Sequence, residues 1–204
     1  MEVMDRIKKR YGIFRLFRLC FDFVNTKLFY KRARIIKVPY DIRGRNFIDF
    51  GRNLTIGRNS RIEVYELQNS KNRPLLKFGK NVQLNDFVHI TVMGTVEIGD
   101  NTLIASKVYI SDCSHGIYSG TENDTNPQIA PIERQYKIGS VKIGKNVWIG
   151  EFVSILPNVE IGDGVIIGTM SVVNKSIPPY CIAVGCPAKI IKRFNFSYNK
   201  WEKI

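Results

Sequence analysis

A parallel β-helix, a solenoid of short flat strands, is the fold this chain predicts. Two observations carry the prediction. Isoleucine or valine falls at every sixth residue (Ile143, Ile149, Ile155, Ile161, Ile167, Val173), with a second register two residues ahead at Val141, Val147, Val153, Val159 and Val165. Glycine follows the first register at Gly144, Gly150, Gly162 and Gly168. A period of six is neither the helical 3.6 nor the plain alternation of an ordinary strand. It describes a chain that turns a corner every six residues and returns to the same wall every eighteen. The two apolar residues of each hexad point inward, and coils stack about 4.8 Å apart through parallel ladders. β-Branched side chains suit such a wall. Glycine, Asn146, Asn158 and Asp163 suit corners with left-handed backbone angles. An amphipathic β-sandwich would not hold phase over six hexads.

Residues 1–37 differ from the rest. Ile7, Phe14, Phe17, Phe21, Val24 and Leu28 share one helical face, and 11 Lys or Arg stand against Glu2, Asp5 and Asp22. This basic amphipathic segment reads either as a membrane-surface element or as a cap laying its aromatic face over the open solenoid end. The hexads begin near Ile48 and continue through Phe50, Ile56 and Ile62. Residues 65–75, polar and containing Pro74, read as a corner loop. Phase resumes at Phe78, Leu84 and Ile90, slips by two residues at Met93–Gly94, and continues through Ile98, Ile104 and Ile110. Residues 111–140 leave the pattern, and an insertion of this length is usually functional. Pro178 and Pro179 end the strict repeat, and residues 194–204 form a basic aromatic tail.

The 204 residues carry a net charge of +13. That implies an anionic partner: nucleic acid, anionic lipid, or a phosphate-bearing substrate or cofactor. No nucleic-acid motif accompanies the charge, so nucleic acid is not expected. The 4 cysteines form no CxxC pair and read as free thiols in a reducing compartment, without a metal cluster. No signal peptide is evident and no apolar run is long enough to span a bilayer. The chain therefore reads as cytoplasmic, with a peripheral membrane contact through residues 1–37 as one option.

Only 2 histidines exist. His89 lies between inward-pointing Val88 and Ile90 and so faces outward. His115 stands at the root of the insertion, in ISDCSHG. Two histidines are too few for the zinc site of a β-helical carbonic anhydrase.

These features together resemble the hexapeptide-repeat acyltransferases, whose β-helix is left-handed. The similarity is to the sugar O-acetyltransferases of the maltose and galactoside type and to those that modify capsule, colanic acid and O-antigen. It covers residues 45–193. It rests on the run from Asp112 to Gly116, on Trp148–Ile149–Gly150, on Gly185 with Pro187–Ala188–Lys189, and on Asn85 after Leu84. It implies that acetyl-CoA is the acyl donor, with no metal, and that His115 is the general base toward a sugar hydroxyl. An ordinary imidazole is largely neutral at pH 7 and suited to that task. Asn85 and Asp112 would serve the acceptor. Asp112 would also orient the imidazole, or else simply form the turn. Trp148, Glu151, Thr169, Asn174, Lys175, Lys189 and Lys192 fall on the family's coenzyme A contacts. Thr169–Met170 departs from the usual Ala–Gly, and Asn174 replaces the usual Thr.

The resemblance further implies a homotrimer, with sites between neighbouring β-helices and an acceptor that is a sugar, free or linked to lipid or nucleotide. An amine acceptor on an amino sugar, a serine hydroxyl, catalysis through Cys113 as covalent nucleophile, and a non-catalytic scaffold stand as alternatives.

Overall fold

The structure, a computed structural model, describes residues 2–66 and 75–204, with the helix ahead of Gly12 described as backbone alone. Positions 67–74 of the expected corner loop, and the side chain of Ile7, lie outside the described residues. The chain winds through three parallel walls. The first stacks Ile35–Ile36, Thr55–Ile56, Gln83–Leu84, Leu103–Ile104, Trp148–Ile149, Ile166–Ile167 and Cys181–Val184. The second stacks Tyr40–Arg43, Ser60–Val64, His89–Val92, Tyr109–Ser111, Ser154–Ile155 and Val172–Val173. The third stacks Ile48–Asp49, Leu76–Phe78, Thr95–Ile98, Ser140–Ile143 and Val159–Ile161. The first coil thus opens at Ile35, ahead of the expected boundary at residue 45.

The register explains the repeat. Ile36, Ile56, Leu84, Ile104, Ile149 and Ile167 stand in line up the first wall, all within 1% of full burial. Ile62, Ile90, Ile110, Ile155 and Val173 do the same on the second. Each such side chain touches the ones above and below it, so a single continuous aliphatic column fills the interior. Strand partners before the insertion lie 20 residues apart, or 28 where residues 65–75 intervene, and those just after it lie 18 apart.

Corners are stitched by polar side chains. Asn53, Asn81, Asn101 and Asn146 occupy the left-handed region at one corner, and each amide donates to the next at 3.1, 3.0 and 3.2 Å. The carboxylates of Asp86, Asp100 and Asp163 each accept a backbone N–H from the preceding coil at 2.7 Å. At the next corner, less adaptable residues adopt the same backbone angles: Phe87, Lys107, Phe152 and Met170, with φ between 57° and 61°. All four project outward.

The N-terminal helix, Glu2–Phe29 with a break at Gly12, reverses the expected cap. Its inward face is polar. Asp22 and Thr26 are fully buried. The Asp22 carboxylate pairs with Arg58 and accepts the Val38 N–H at 3.0 Å, while Thr26 Oγ1 accepts the Ile36 N–H at 2.8 Å. The aromatic face is turned out: Phe14 is 87% and Phe17 71% exposed, with Phe21, Val24 and Leu28 continuing the stripe. An apolar stripe fixes a helix's phase but not what covers it. Here the first coil leaves two backbone donors, Val38 and Ile36, outside the ladder, and polar side chains of the helix satisfy them. Closure of the apolar end falls instead to Tyr30 and Ala33, both buried beyond the helix. At the other end Lys189–Asn195 and Lys200–Lys203 fold back antiparallel on the first wall, so the tail is a hairpin.

Removing the buried Asp22 carboxylate leaves Arg58 without its counter-ion and the Val38 N–H without an acceptor. Asp22→Ala is expected to cost about 3 kcal/mol in chemical denaturation, with the helix losing protection in hydrogen exchange before the coils do.

Candidate active site

Asp112 governs the insertion. It is fully buried, and its carboxylate accepts the N–H groups of Met93 and Gly94, each at 2.9 Å. Those are the two residues at which the repeat slips. Its carbonyl accepts the Gly139 N–H at 2.7 Å, which closes the base of the excursion. Gly94 is required here, since a Cβ on it would stand 2.2 Å from the Gly139 carbonyl oxygen. Burial pushes the Asp112 carboxyl up from the ordinary aspartate value, and the backbone donors only partly offset this.

Beyond this closure the chain forms an antiparallel hairpin, Cys113–His115 on Tyr136–Ile138. His115 stands opposite Tyr136, with ring centroids 4.6 Å apart. Its Nδ1 lies 3.0 Å from the Pro131 carbonyl oxygen. A carbonyl can only accept, so Nδ1 carries the proton and the neutral ring offers its lone pair at Nε2. Arg134 holds the loop that supplies this carbonyl. Its guanidinium donates to the Ile129 carbonyl at 2.9 Å, the Pro127 carbonyl at 3.0 Å and the Tyr118 hydroxyl at 2.8 Å, and Tyr118 in turn donates to the His115 carbonyl. Ser119 and Gly120 N–H groups cap Asp124 at 2.7 and 2.9 Å. The insertion is thus a self-bonded structure that carries His115 on an exposed rim.

Below His115 lies a cleft of 320 Å³ on the outer face of the second wall. Cys113 is part of its lining, half-buried, with its sulfur 3.6 Å from Ser111 Oγ. Burial raises the Cys113 thiol, which keeps it protonated and unsuited to nucleophilic attack.

The remaining candidates lie elsewhere on the chain. The two N–H groups of the slip occupy the Asp112 carboxylate, while His115 takes its partner from Pro131. Asn85 sits at a corner beyond the first wall, its Oδ1 accepting from Gln83 Nε2 at 3.0 Å. Trp148 lies on the first wall, 52% exposed. Glu151 and Thr169 are stacked at one corner, joined by a 2.6 Å bond from Thr169 Oγ1 to the Glu151 carbonyl. Asn174 and Lys175 are exposed just past Val173, and Lys189 and Lys192 stand on the returning hairpin strand. Trp148, the corner beside it and the strand of Lys189 and Lys192 lie along the first wall, whereas Asn174 and Lys175 follow the second wall, at the corner from which the insertion leaves two coils earlier.

Sequence reasoning missed the cluster that floors the cleft. Glu63, 3% exposed, accepts from Arg43 Nη1 at 2.9 Å, Arg61 Nη2 at 2.7 Å and the Tyr65 hydroxyl at 3.1 Å, and lies 3.2 Å from His89 Nε2. Its signal was present in RIEVY, where Arg61, Glu63 and Tyr65 alternate with the inward Ile62 and Val64.

Residues 140–175 match the family model described as bacterial transferase hexapeptide (six repeats). The chain is 42% identical over 198 residues to the Escherichia coli K12 protein named for lipopolysaccharide biosynthesis O-acetyl transfer, WbbJ, covering 97% of this chain and 98% of that one. Among solved structures, AntD, an N-acyltransferase from Bacillus cereus in complex with dTDP and 3-hydroxybutyryl-CoA, is similar with a TM-score of 0.64 and 25% identity, over 80% of this chain and 81% of that one. A galactoside acetyltransferase in complex with coenzyme A gives a TM-score of 0.53 and 32% identity, over 70% of this chain and 66% of that one.

Loss of the Asp112 carboxylate leaves the Met93 and Gly94 N–H groups without an acceptor. Asp112→Ala is expected to cost about 2–4 kcal/mol and to open residues 113–138 to limited proteolysis, with the coils remaining intact.

Proposed function

The chain belongs to the hexapeptide-repeat bacterial transferases, and from that membership we propose that it is an acetyl-CoA-dependent O-acetyltransferase. Its acceptor is a sugar hydroxyl in cell-surface polysaccharide biosynthesis. The observation that carries the reading is the fixed imidazole: Nδ1 bound to the Pro131 carbonyl, Nε2 open over a cleft. In this arrangement His115 Nε2 accepts the proton of the attacking hydroxyl and holds it for the departing sulfur. The Pro131 carbonyl steadies the imidazolium formed on the way, as an acceptor at Nδ1 does in general-base sites. Acetyl-CoA supplies the activated acyl group as a thioester. Trp148, Glu151, Thr169, Asn174, Lys175, Lys189 and Lys192 hold it, the lysines meeting its phosphates.

Trp148 stands on the first wall and His115 beyond the second. A homotrimer of left-handed coils, with each site shared between neighbours, unites them. The outward edge of Phe87, Phe152 and Met170 supplies apolar surface for that contact. The likeness to an N-acyltransferase supports a second reading, in which the acceptor is an amino sugar. The protein works at the inner face of the cytoplasmic membrane, bound there by the aromatic stripe of its helix and by Arg15, Arg18 and Lys31 beside it. No helix among the described residues is long and apolar enough to cross a membrane.

Two measurements test this. His115→Ala is expected to lower acceptor-dependent thiol release about a thousandfold, with coenzyme A binding retained in calorimetry. Full activity in the variant would remove His115 from the chemistry, and faster turnover of amino sugars would favour the amine acceptor. For the membrane contact, Phe14→Ser/Phe17→Ser/Phe21→Ser is expected to weaken sedimentation with phosphatidylglycerol vesicles at least about tenfold, with acetylation of soluble sugars unaffected. These substitutions spare Asp22 and Thr26, which a truncation of the whole segment would remove.

A further inference from the structure

The cleft beneath His115 is larger than one reacting hydroxyl requires, and its floor is ordered. Outward residues of the second wall form a grid. Arg61, His89 and Tyr109 stand in one column, and Glu63, Thr91 and Ser111 in the next. His115 springs from the coil of Tyr109 and Ser111. The Arg61–Glu63 coil is two rungs away, about 10 Å at the usual strand spacing. One pyranose does not reach from the first to the second; two linked pyranoses do.

The far end of the floor is built differently from the rest of the surface. Outward ion pairs on the third wall, Lys77–Glu97 and Lys142–Glu160, join exposed partners one to one. The second wall instead buries a carboxylate and surrounds it with four donors. Burial pushes the Glu63 carboxyl up, but the bonds from Arg61, His89 and Tyr65 outweigh it and leave the group below the usual carboxylate range. Glu63 is thus a fixed anion that locks the orientation of Arg61 and Tyr65. Both remain exposed to the cleft. Arg61 commits Nη2 to Glu63 and turns its other face outward. Charges cancel locally, Arg43 and Arg61 against Asp41 and Glu63. Fixed donors, aromatic faces and no net charge suit a hydroxylated ring and not a phosphate.

We propose that Arg61, Tyr65 and Thr91, organised by Glu63, form a subsite for a second sugar unit, so that the preferred acceptor is a glycosidically linked saccharide and not a free monosaccharide. The inference rests on the acetyltransferase reading above. Arg61 and Tyr65 touch the neighbouring sugar, Glu63 acts through them as a positioning residue, and His115 meets the hydroxyl that reacts.

The test offers hexopyranosides to the full-length protein, each as a methyl monosaccharide and as one unit of a disaccharide, with acetyl-CoA and thiol detection. The unaltered protein is expected to favour the disaccharide in kcat/KM by about tenfold or more, the worth of one charge-assisted hydrogen bond. Arg61→Ala is expected to erase most of that advantage through KM, with kcat and the KM for acetyl-CoA within about twofold. Glu63→Gln shifts in the same direction, with thermal unfolding followed alongside to separate recognition from folding. Equal kcat/KM for both forms in the unaltered protein, or an advantage that survives Arg61→Ala, would overturn the subsite and leave the transferase intact. Absence of thiol release with every acceptor, in a protein that binds coenzyme A, would overturn the transferase and the subsite with it.

Discussion

The parallel ladder between coils is the interaction on which the rest depends. Each short strand finds its backbone partners only in the coils above and below, so no coil is satisfied alone. The inward aliphatic columns and the outward side-chain columns both follow from this register. Ile62, Ile90 and Ile110 align because Arg61, His89 and Tyr109 do. A core position and a site position on the same strand are therefore set by one geometry, which is why the cleft floor is as regular as the interior behind it.

A ladder must stop, and its two ends stop by different physics. At the N-terminal end the exposed donors of the first coil are met by the side chains of Asp22 and Thr26. This frees the helix's apolar stripe to face outward. At the C-terminal end Cys181–Val184 receives an antiparallel partner, and the returning strand takes a further one at Lys200–Lys203. Tyr180, Phe194, Phe196 and Trp201 pack edge to face along that hairpin.

The sequence announced the walls because burial repeats with the hexad. Val141 to Val173 could be assigned inward residue by residue, and the asparagine corners followed from the need for left-handed angles. Ile35–Ile36 was hidden, since a single apolar pair beside a basic helix has no phase to be recognised by. Which side of the helix packs was also hidden, because it depends on donors that another segment leaves open. His115 could be singled out as a candidate from its neighbours in the chain, whereas the partner of its Nδ1, the Pro131 carbonyl, comes from a fold within the insertion. Asp112 holds Met93 and Gly94, a contact visible only once the two-residue slip and the end of the repeat are known to meet in space. The Glu63 cluster was legible in its alternation but not in its purpose. Reading that requires His89 and Arg43 from adjacent coils.

The insertion leaves and rejoins the solenoid at a single hydrogen bond, Gly139 N–H to the Asp112 carbonyl. Its two ends are neighbours, and everything between them is bonded mainly to itself. Such an excursion behaves as a cassette. Selection can lengthen, shorten or exchange the segment between those two residues without altering the pitch of the stack. The coils set the pitch of the stack, and the excursion that carries His115 is attached to them without entering it. The walls can therefore keep their register whatever the length of the excursion, provided a carboxylate and a glycine stand at the hinge.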